Sequence, residues 1–240
     1  MHSPLTQFEI IPIIPLQVFG YDISFTNSSL MMLVSVLLII GLLGITCYKS
    51  SIIPNKLQLV GELLFNLING LLYNIAGKES KKYMPFIFSI FIFILICNLV
   101  GMFPFSFTVT SHIIVTFAMA IVIFIGVTLI GFFRHGFHYL SIFLPQGTPL
   151  PLAPLMIVIE LFAYLVRPIS LSMRLTANMI AGHTIMKVVA SFVILAGLFG
   201  IIPFALLILL TGFEIFVAIL QAYIFTVLSC VYLNNAIRLH

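Results

Sequence analysis

Hydrophobic residues run through this chain in long, nearly charge-free blocks, and the charged residues fall mostly between them. From Ile23 to Tyr48 there is no Asp, Glu, Lys or Arg. At about 20 apolar residues per crossing, 23–48 predicts one membrane-spanning helix, with Ser24, Thr26 and Asn27 as caps at its start. The next stretch carries Lys49, Lys56, Lys78, Lys81 and Lys82. Within it Leu57, Val60, Leu64, Leu67, Leu71 and Ile75 recur at helical spacing, while Gln58, Glu62, Asn66 and Asn69 lie on another face. That pattern predicts an amphipathic helix over 55–77 lying in the membrane interface. From Tyr83 to Phe133 the only titratable nitrogen is that of His112, and G-M-F-P-F-S-F-T breaks the run. A spanning hairpin is therefore expected over 84–133, its helices near 84–102 and 112–133 and its turn at Pro104. The last two blocks run from Leu155 to Leu195 and from Ile202 to Asn234, with Gly197, Gly200 and Pro203 between them. At 1.5 Å per residue the first is about 60 Å long, roughly twice the hydrocarbon thickness. A hairpin over 152–236 must then tilt far beyond the usual ~20° or run largely in plane.

Composition turns these elements into a class. The 240 residues are 62% hydrophobic and 7% charged, with a mean hydropathy of +1.28. No soluble domain of this size covers such a sequence with polar surface, so the chain reads as an all-α polytopic membrane protein in one membrane domain. The formal net charge of +4 sits mostly in loops. It reports topology and argues against a nucleic-acid partner. Residues 1–22 hold Pro4, Pro12, Pro15, Glu9 and Asp22 without Lys or Arg, an N-terminal arm on the face opposite the basic loops. The Pro104 turn falls on that same face, and Arg134, His135 and His138 return the chain to the basic side. Cys47, Cys97 and Cys230 lie far apart in apolar runs and read as buried small hydrophobes. His135 and His138 lack a neighbouring carboxylate or Cys, so no metal and no cofactor is expected. Neither a signal peptide nor a transit peptide is visible at the N-terminus. The expectation is synthesis in the compartment whose membrane receives the chain, a bacterium or an organelle.

The chemistry concentrates in E-L-F-A-Y-L-V-R-P-I-S-L-S-M-R-L-T-A-N-M-I-A-G-H, residues 160–183. An ionisable residue inside a bilayer costs about 2.5–3.5 kcal/mol on insertion scales, so Glu160, Arg167, Arg174 and His183 are functional candidates. Folding the last two helices antiparallel about residue 198 puts Arg174 level with Gln221, His183 with Glu214, and Glu160 with Asn235. Asn178 shares the Arg174 face, whereas His183 points nearly opposite on an ideal helix. The levels separate across the membrane, with Glu160 toward the basic side, Arg174 near the middle, and His183 with Glu214 toward the other face. Chains of protonatable groups mark proton relays, and a guanidinium stays charged and relays nothing. Two proton half-paths that do not meet are therefore expected, with Arg174 between them. Asn98, Ser111 and His112 either line the path on the His183 side or serve as caps and interhelical bonds. Arg167 either snorkels or pairs with a neighbour. A stand-alone ion-coupled carrier is the alternative, and it would need an internal repeat and a substrate site that the sequence does not offer. A haem subunit would need a second facing His, and a hydrolase a nucleophile–base set; the sequence has neither.

L-S-M-R-L-T-A-N-M-I-A-G-H and E-I-F-V-A-I-L-Q-A-Y-I-F closely resemble subunit a of the F-type ATP synthase. Y-D-I-S-F-T-N-S-S, C-N-L-V-G-M-F-P-F-S-F-T and L-P-Q-G-T-P-L extend the likeness over nearly the whole chain. The resemblance implies a non-catalytic stator subunit whose Arg174 faces a ring of c subunits, each bearing one ion-binding carboxylate. It further implies proton uptake through His183 and Glu214 and release past Glu160, with Gln221 matching the family's Gln among the proton-translocation residues. Asn235 stands where some members have an acid. Expected partners are the c ring, the peripheral stalk, other membrane-sector subunits and lipid. The His-then-Glu order looks like the mitochondrial and alphaproteobacterial type, which implies the mitochondrial inner membrane or, failing that, a bacterial plasma membrane.

Overall fold

In a bilayer every backbone polar group must be satisfied within the protein, which leaves the apolar blocks of this chain one economical solution, the helix. The structure is a computed structural model that describes residues 9–15, 17–18, 21–22, 24–48, 54–103, 107–143, 152–195 and 200–237. The described residues form six α-helices: α1 Asn27–Tyr48, α2 Lys56–Ala76, α3 Met84–Gly101, α4 Ile113–His135, α5 Ala153–Leu195 and α6 Ile201–Ile237. All six are long and apolar enough to cross a membrane, so the chain is an all-α multi-pass membrane protein.

α1 begins four residues later than the apolar run suggests, because the chain before it is extended. Strands β1 (Pro12–Ile14) and β4 (Phe25–Thr26) pair antiparallel, with β2 (Gln17–Val18) and β3 (Tyr21–Asp22) paired between them. Asn27 ties this arm down. Its side-chain amide donates to the Glu9 carbonyl (3.1 Å), and its oxygen accepts from the backbone N–H of Ser28 (2.9 Å). Thr26 caps α1 by accepting from the Ser29 N–H at 3.4 Å.

α2 packs against α1, α3 and α6. The apolar stripe anticipated for it splits: Leu64, Leu71 and Ile75 join the core, while Leu57, Val60 and Leu67 stay exposed. The buried face is instead Gln58, Gly61, Ile68, Leu72 and Ala76, because α2 is covered from the side by three helices. Its length and composition also suit a crossing, although its hydropathy is the lowest of the six.

α3 is the most enclosed helix. Ile87, Phe91, Ile92, Ile94 and Leu95 on α3 meet Ala222, Phe225, Cys230 and Leu233 on α6, and Ile123, Val127, Leu171 and Leu175 complete the cluster. Ala218, Ala222, Thr226 and Ser229 make the buried edge of α6 small, which lets neighbouring helices approach closely. Cys97 and Cys230 are free and buried. The Cys47 side chain lies outside the described residues, as do the Pro104 turn, Gly197 and the L-P-Q-G-T-P-L segment.

Two 3₁₀ segments, Lys78–Tyr83 and Gly136–Phe143, occupy what the sequence presents as plain basic loops. Arg134 at the end of α4 pairs with Glu79 in the first of them. His135 reaches the Ile237 carbonyl at 3.1 Å. These contacts gather the start of α3, the end of α4 and the end of α6 at one basic end of the bundle. At the opposite end, residues 107–111 between α3 and α4 are buried.

α5 has 43 residues and α6 has 37, about 65 and 55 Å at 1.5 Å per residue. They pair antiparallel, with Met186 against Thr211 and Gly182 against Glu214. Pro168 lies inside α5 and has no N–H to donate to the preceding turn.

Candidate functional site

Nine residues separate Arg174 from His183 on α5, two and a half helical turns, so the two side chains leave opposite sides of the helix. Leu171, Ser172, Leu175, Thr176 and Met179 are buried, which turns Arg174 outward next to exposed Met173. His183 turns inward instead, and its Nε2 lies 3.7 Å from Oε1 of Glu214, with side chains 11% and 6% exposed.

Gly182 makes that approach possible. A Cβ on it would lie 2.6 Å from Glu214 Oε1, inside van der Waals contact. On the other side of the ring, Thr108 Oγ1 is 3.0 Å from His183 Nε2. Both Glu214 oxygens are buried without a hydrogen-bond partner, and so are Asn98 Oδ1, Thr110 Oγ1 and His112 Nε2. Buried polar atoms that no protein group satisfies are ordinarily served by water. Asn98 belongs to the same neighbourhood, since its Nδ2 donates to the Ala218 carbonyl at 3.0 Å, one turn from Glu214. His112 stacks on Phe107 at 4.9 Å, and burial pushes its imidazole below the ordinary value, which favours the neutral ring. Ser111 is occupied with closing the turn, its hydroxyl donating to the Thr108 carbonyl at 2.7 Å. Next to this group the α4 and α5 hydroxyls of Thr116 and Thr176 meet at 2.7 Å.

Glu160 sits toward the basic end. Arg167 donates to its Oε1 at 3.2 Å, which resolves the two options for that arginine in favour of a pair. The guanidinium also lies 5.2 Å from the Tyr164 ring centre and 5.5 Å from that of Tyr232. A cavity of about 120 Å³ joins Glu160, Arg167, Tyr164, Tyr232, Tyr139 and Asn235. Along its wall runs a hydroxyl chain, Thr128 to Tyr164 at 2.6 Å and Tyr164 to Tyr139 at 3.2 Å.

Between these two ends Arg174 makes no ion pair or hydrogen bond among the described residues. Gln221 is buried and Asn178 half-buried, and neither bonds to Arg174. Of the described arginines, Arg134 and Arg167 each hold a carboxylate and Arg174 does not.

Residues 29–234 match the family described as ATP synthase A chain. The chain belongs to that family, subunit a of the F-type ATP synthase. As such it is a non-catalytic, multi-pass subunit of the ATP synthase membrane sector that takes part in proton translocation and works with the c ring. The match spans α2 to α5 entirely, including Glu160, Arg174 and His183, and takes in Glu214 and Gln221; Asn235 falls one residue beyond it.

Thr108, Gly182 and the tyrosines Tyr139, Tyr164 and Tyr232 belong to these polar groups, although no charge marks them in the sequence. The hydroxyl-rich T-V-T-S-H run at 108–112 and the small residue beside His183 were the available signals.

Proposed function

We propose that this subunit a carries two offset proton half-paths, separated by Arg174, to and from the carboxylates of the c ring. Uptake runs by His183 and Glu214, with Asn98, Ser111 and His112 along its approach. Release runs past Glu160 and the cavity it shares with Asn235. Gln221 and Asn178 flank the arginine. α2 lies in the interface on the basic side, and the α5–α6 hairpin tilts to follow the ring. The His183-then-Glu214 order favours the mitochondrial inner membrane, and the peripheral stalk is a further partner.

The observation that carries this reading is the outward-facing Arg174 without a carboxylate of its own. A rotor carboxylate crossing lipid is protonated, because a bare charge there is expensive. Opposite Arg174 the fixed cation lowers its pKa, and the proton leaves toward Glu160. Glu160 in turn is held in place by its pair with Arg167.

The release side gives the test. Glu160→Gln keeps the shape of the side chain and removes the proton acceptor. Passive proton flux through the assembled membrane sector in vesicles, driven by a potassium diffusion potential, is expected to fall at least about tenfold. Unchanged flux would remove Glu160 from the path.

A further inference from the structure

We propose that Thr108 is a positioning residue that keeps the His183 ring aimed at Glu214 through both of the ring's protonation states. This rests on the reading of His183 and Glu214 as the uptake pair. Thr108 is 4% exposed. Its hydroxyl has two partners within reach, the Gly101 carbonyl at 3.3 Å and His183 Nε2 at 3.0 Å. A hydroxyl has one proton to give and lone pairs to accept with. When both ring nitrogens carry protons, the single Nε2–H is shared between Thr108 Oγ1 at 3.0 Å and Glu214 Oε1 at 3.7 Å, and the Thr108 proton turns to the Gly101 carbonyl. When Nε2 has lost its proton, the hydroxyl swings back and donates to the bare nitrogen. The ring is held at the same place in both states, with Gly101 as the alternate acceptor.

The transfer this serves is balanced. The Nε2–H bond of the imidazolium breaks and its electron pair stays on nitrogen. The proton forms an O–H bond on Glu214, so a cation and a carboxylate become two neutral groups. At 3.7 Å the gap from Nε2 to Oε1 is longer than a direct hydrogen bond. The step therefore uses a bridging water or a small closure, and either demands that the ring not wander. The packing is close there: a Cβ on Gly101 would lie 2.7 Å from the Thr108 methyl, so a larger residue would force Thr108 to shift. The charged groups that face His183 are Glu214 from α6 and Lys187 one turn on along α5; His112 lies four residues after Thr108 in the α3–α4 connection, and Asn98 on α3 and Thr116 on α4 are uncharged.

The test uses the whole complex in vesicles, with ATP-driven proton pumping normalised to assembled complex and followed from about pH 5 to 9. Thr108→Val and Thr108→Ala are expected to slow pumping roughly three- to tenfold. Both should also change its pH dependence, because the hydroxyl that meets the ring in each protonation state is lost. Thr108→Ser is expected to restore rate and profile. A wild-type profile in the Val and Ala variants, or a Ser variant as impaired as they are, would overturn the proposal. His183→Ala separates the two levels. If it pumps normally, the uptake reading itself fails. If it is impaired while Thr108→Val is not, only the role of Thr108 falls.

Discussion

Arg174→Lys is expected to reduce ATP-driven proton pumping at least a hundredfold, to background, while ATP hydrolysis by the catalytic head continues. Both side chains are cations in water, so the expectation rests on what differs between them. Guanidinium keeps its proton at any relevant pH, whereas a desolvated ammonium releases it readily and becomes a relay. The guanidinium also presents a planar fork that meets a carboxylate with two bonds, and the ammonium presents one point of charge. A lysine here would pair poorly with a passing rotor carboxylate and would insulate poorly between the half-paths. The insulation has a size. A unit charge at 4 Å is worth about 4 kcal/mol at an effective dielectric of 20, roughly three orders of magnitude in the passage of a second positive charge. A membrane potential drives each proton with only about 2.3 kcal/mol per 100 mV, so the barrier is large enough to matter. Arg174→Gln should accordingly leak protons that the parent complex holds back. Dye-reported acidification of vesicles, set against phosphate release, measures both effects in one preparation, and full pumping by the lysine variant would sink the account of Arg174.

Glu214→Gln is expected to lower proton uptake on the order of thirtyfold or more, within the range of removing a positioned acid–base group. Glutamine fills the same space beside Gly182, so the change removes the proton acceptor with little change in packing. The pair, not either residue, should be the working unit. Exchanging the two (His183→Glu with Glu214→His) leaves one imidazole and one carboxylate facing each other at the same level. That double variant is expected to pump better than His183→Glu alone, in which two carboxylates confront one another. Double-mutant comparison of pumping rates reads the coupling directly, and purely additive losses would mean that the two residues act separately.

The sequence carries the helices well and their faces less well. α3, α4, α5 and α6 each begin and end within three residues of the limits read from the apolar blocks and the Gly- and Pro-containing breaks between them, because both are written plainly in composition. The arm was harder to read: the β1–β4 and β2–β3 pairs are two or three residues long and have no alternating pattern to reveal them. On α2 the stripe was visible, but which side of it neighbours would cover depends on three other helices. Counting residues from the turn of the hairpin finds depth, and it brings His183 to Glu214 and Glu160 to the cavity with Asn235. The same count says nothing about rotation around the helix axis, so Arg174 and Gln221 are equidistant from the turn yet make no bond. The partner of Arg167 lies seven residues back on its own helix, two turns away, and spacing alone does not choose between that pair and an arginine that snorkels. Thr108 meets His183 across 75 residues of sequence and carries no charge to draw attention to it.

The Arg174 cation is expected to find its carboxylate on another chain. The most direct measurement is the distance from the Arg174 guanidinium to the nearest c-ring carboxylate in the assembled complex. One rotor carboxylate within about 4–6 Å, the range over which a neighbouring charge shifts a pKa, is the predicted result. A ring whose carboxylates all stay more than about 10 Å away, beyond a Debye length, or an Arg174 covered by another stator subunit, would contradict it.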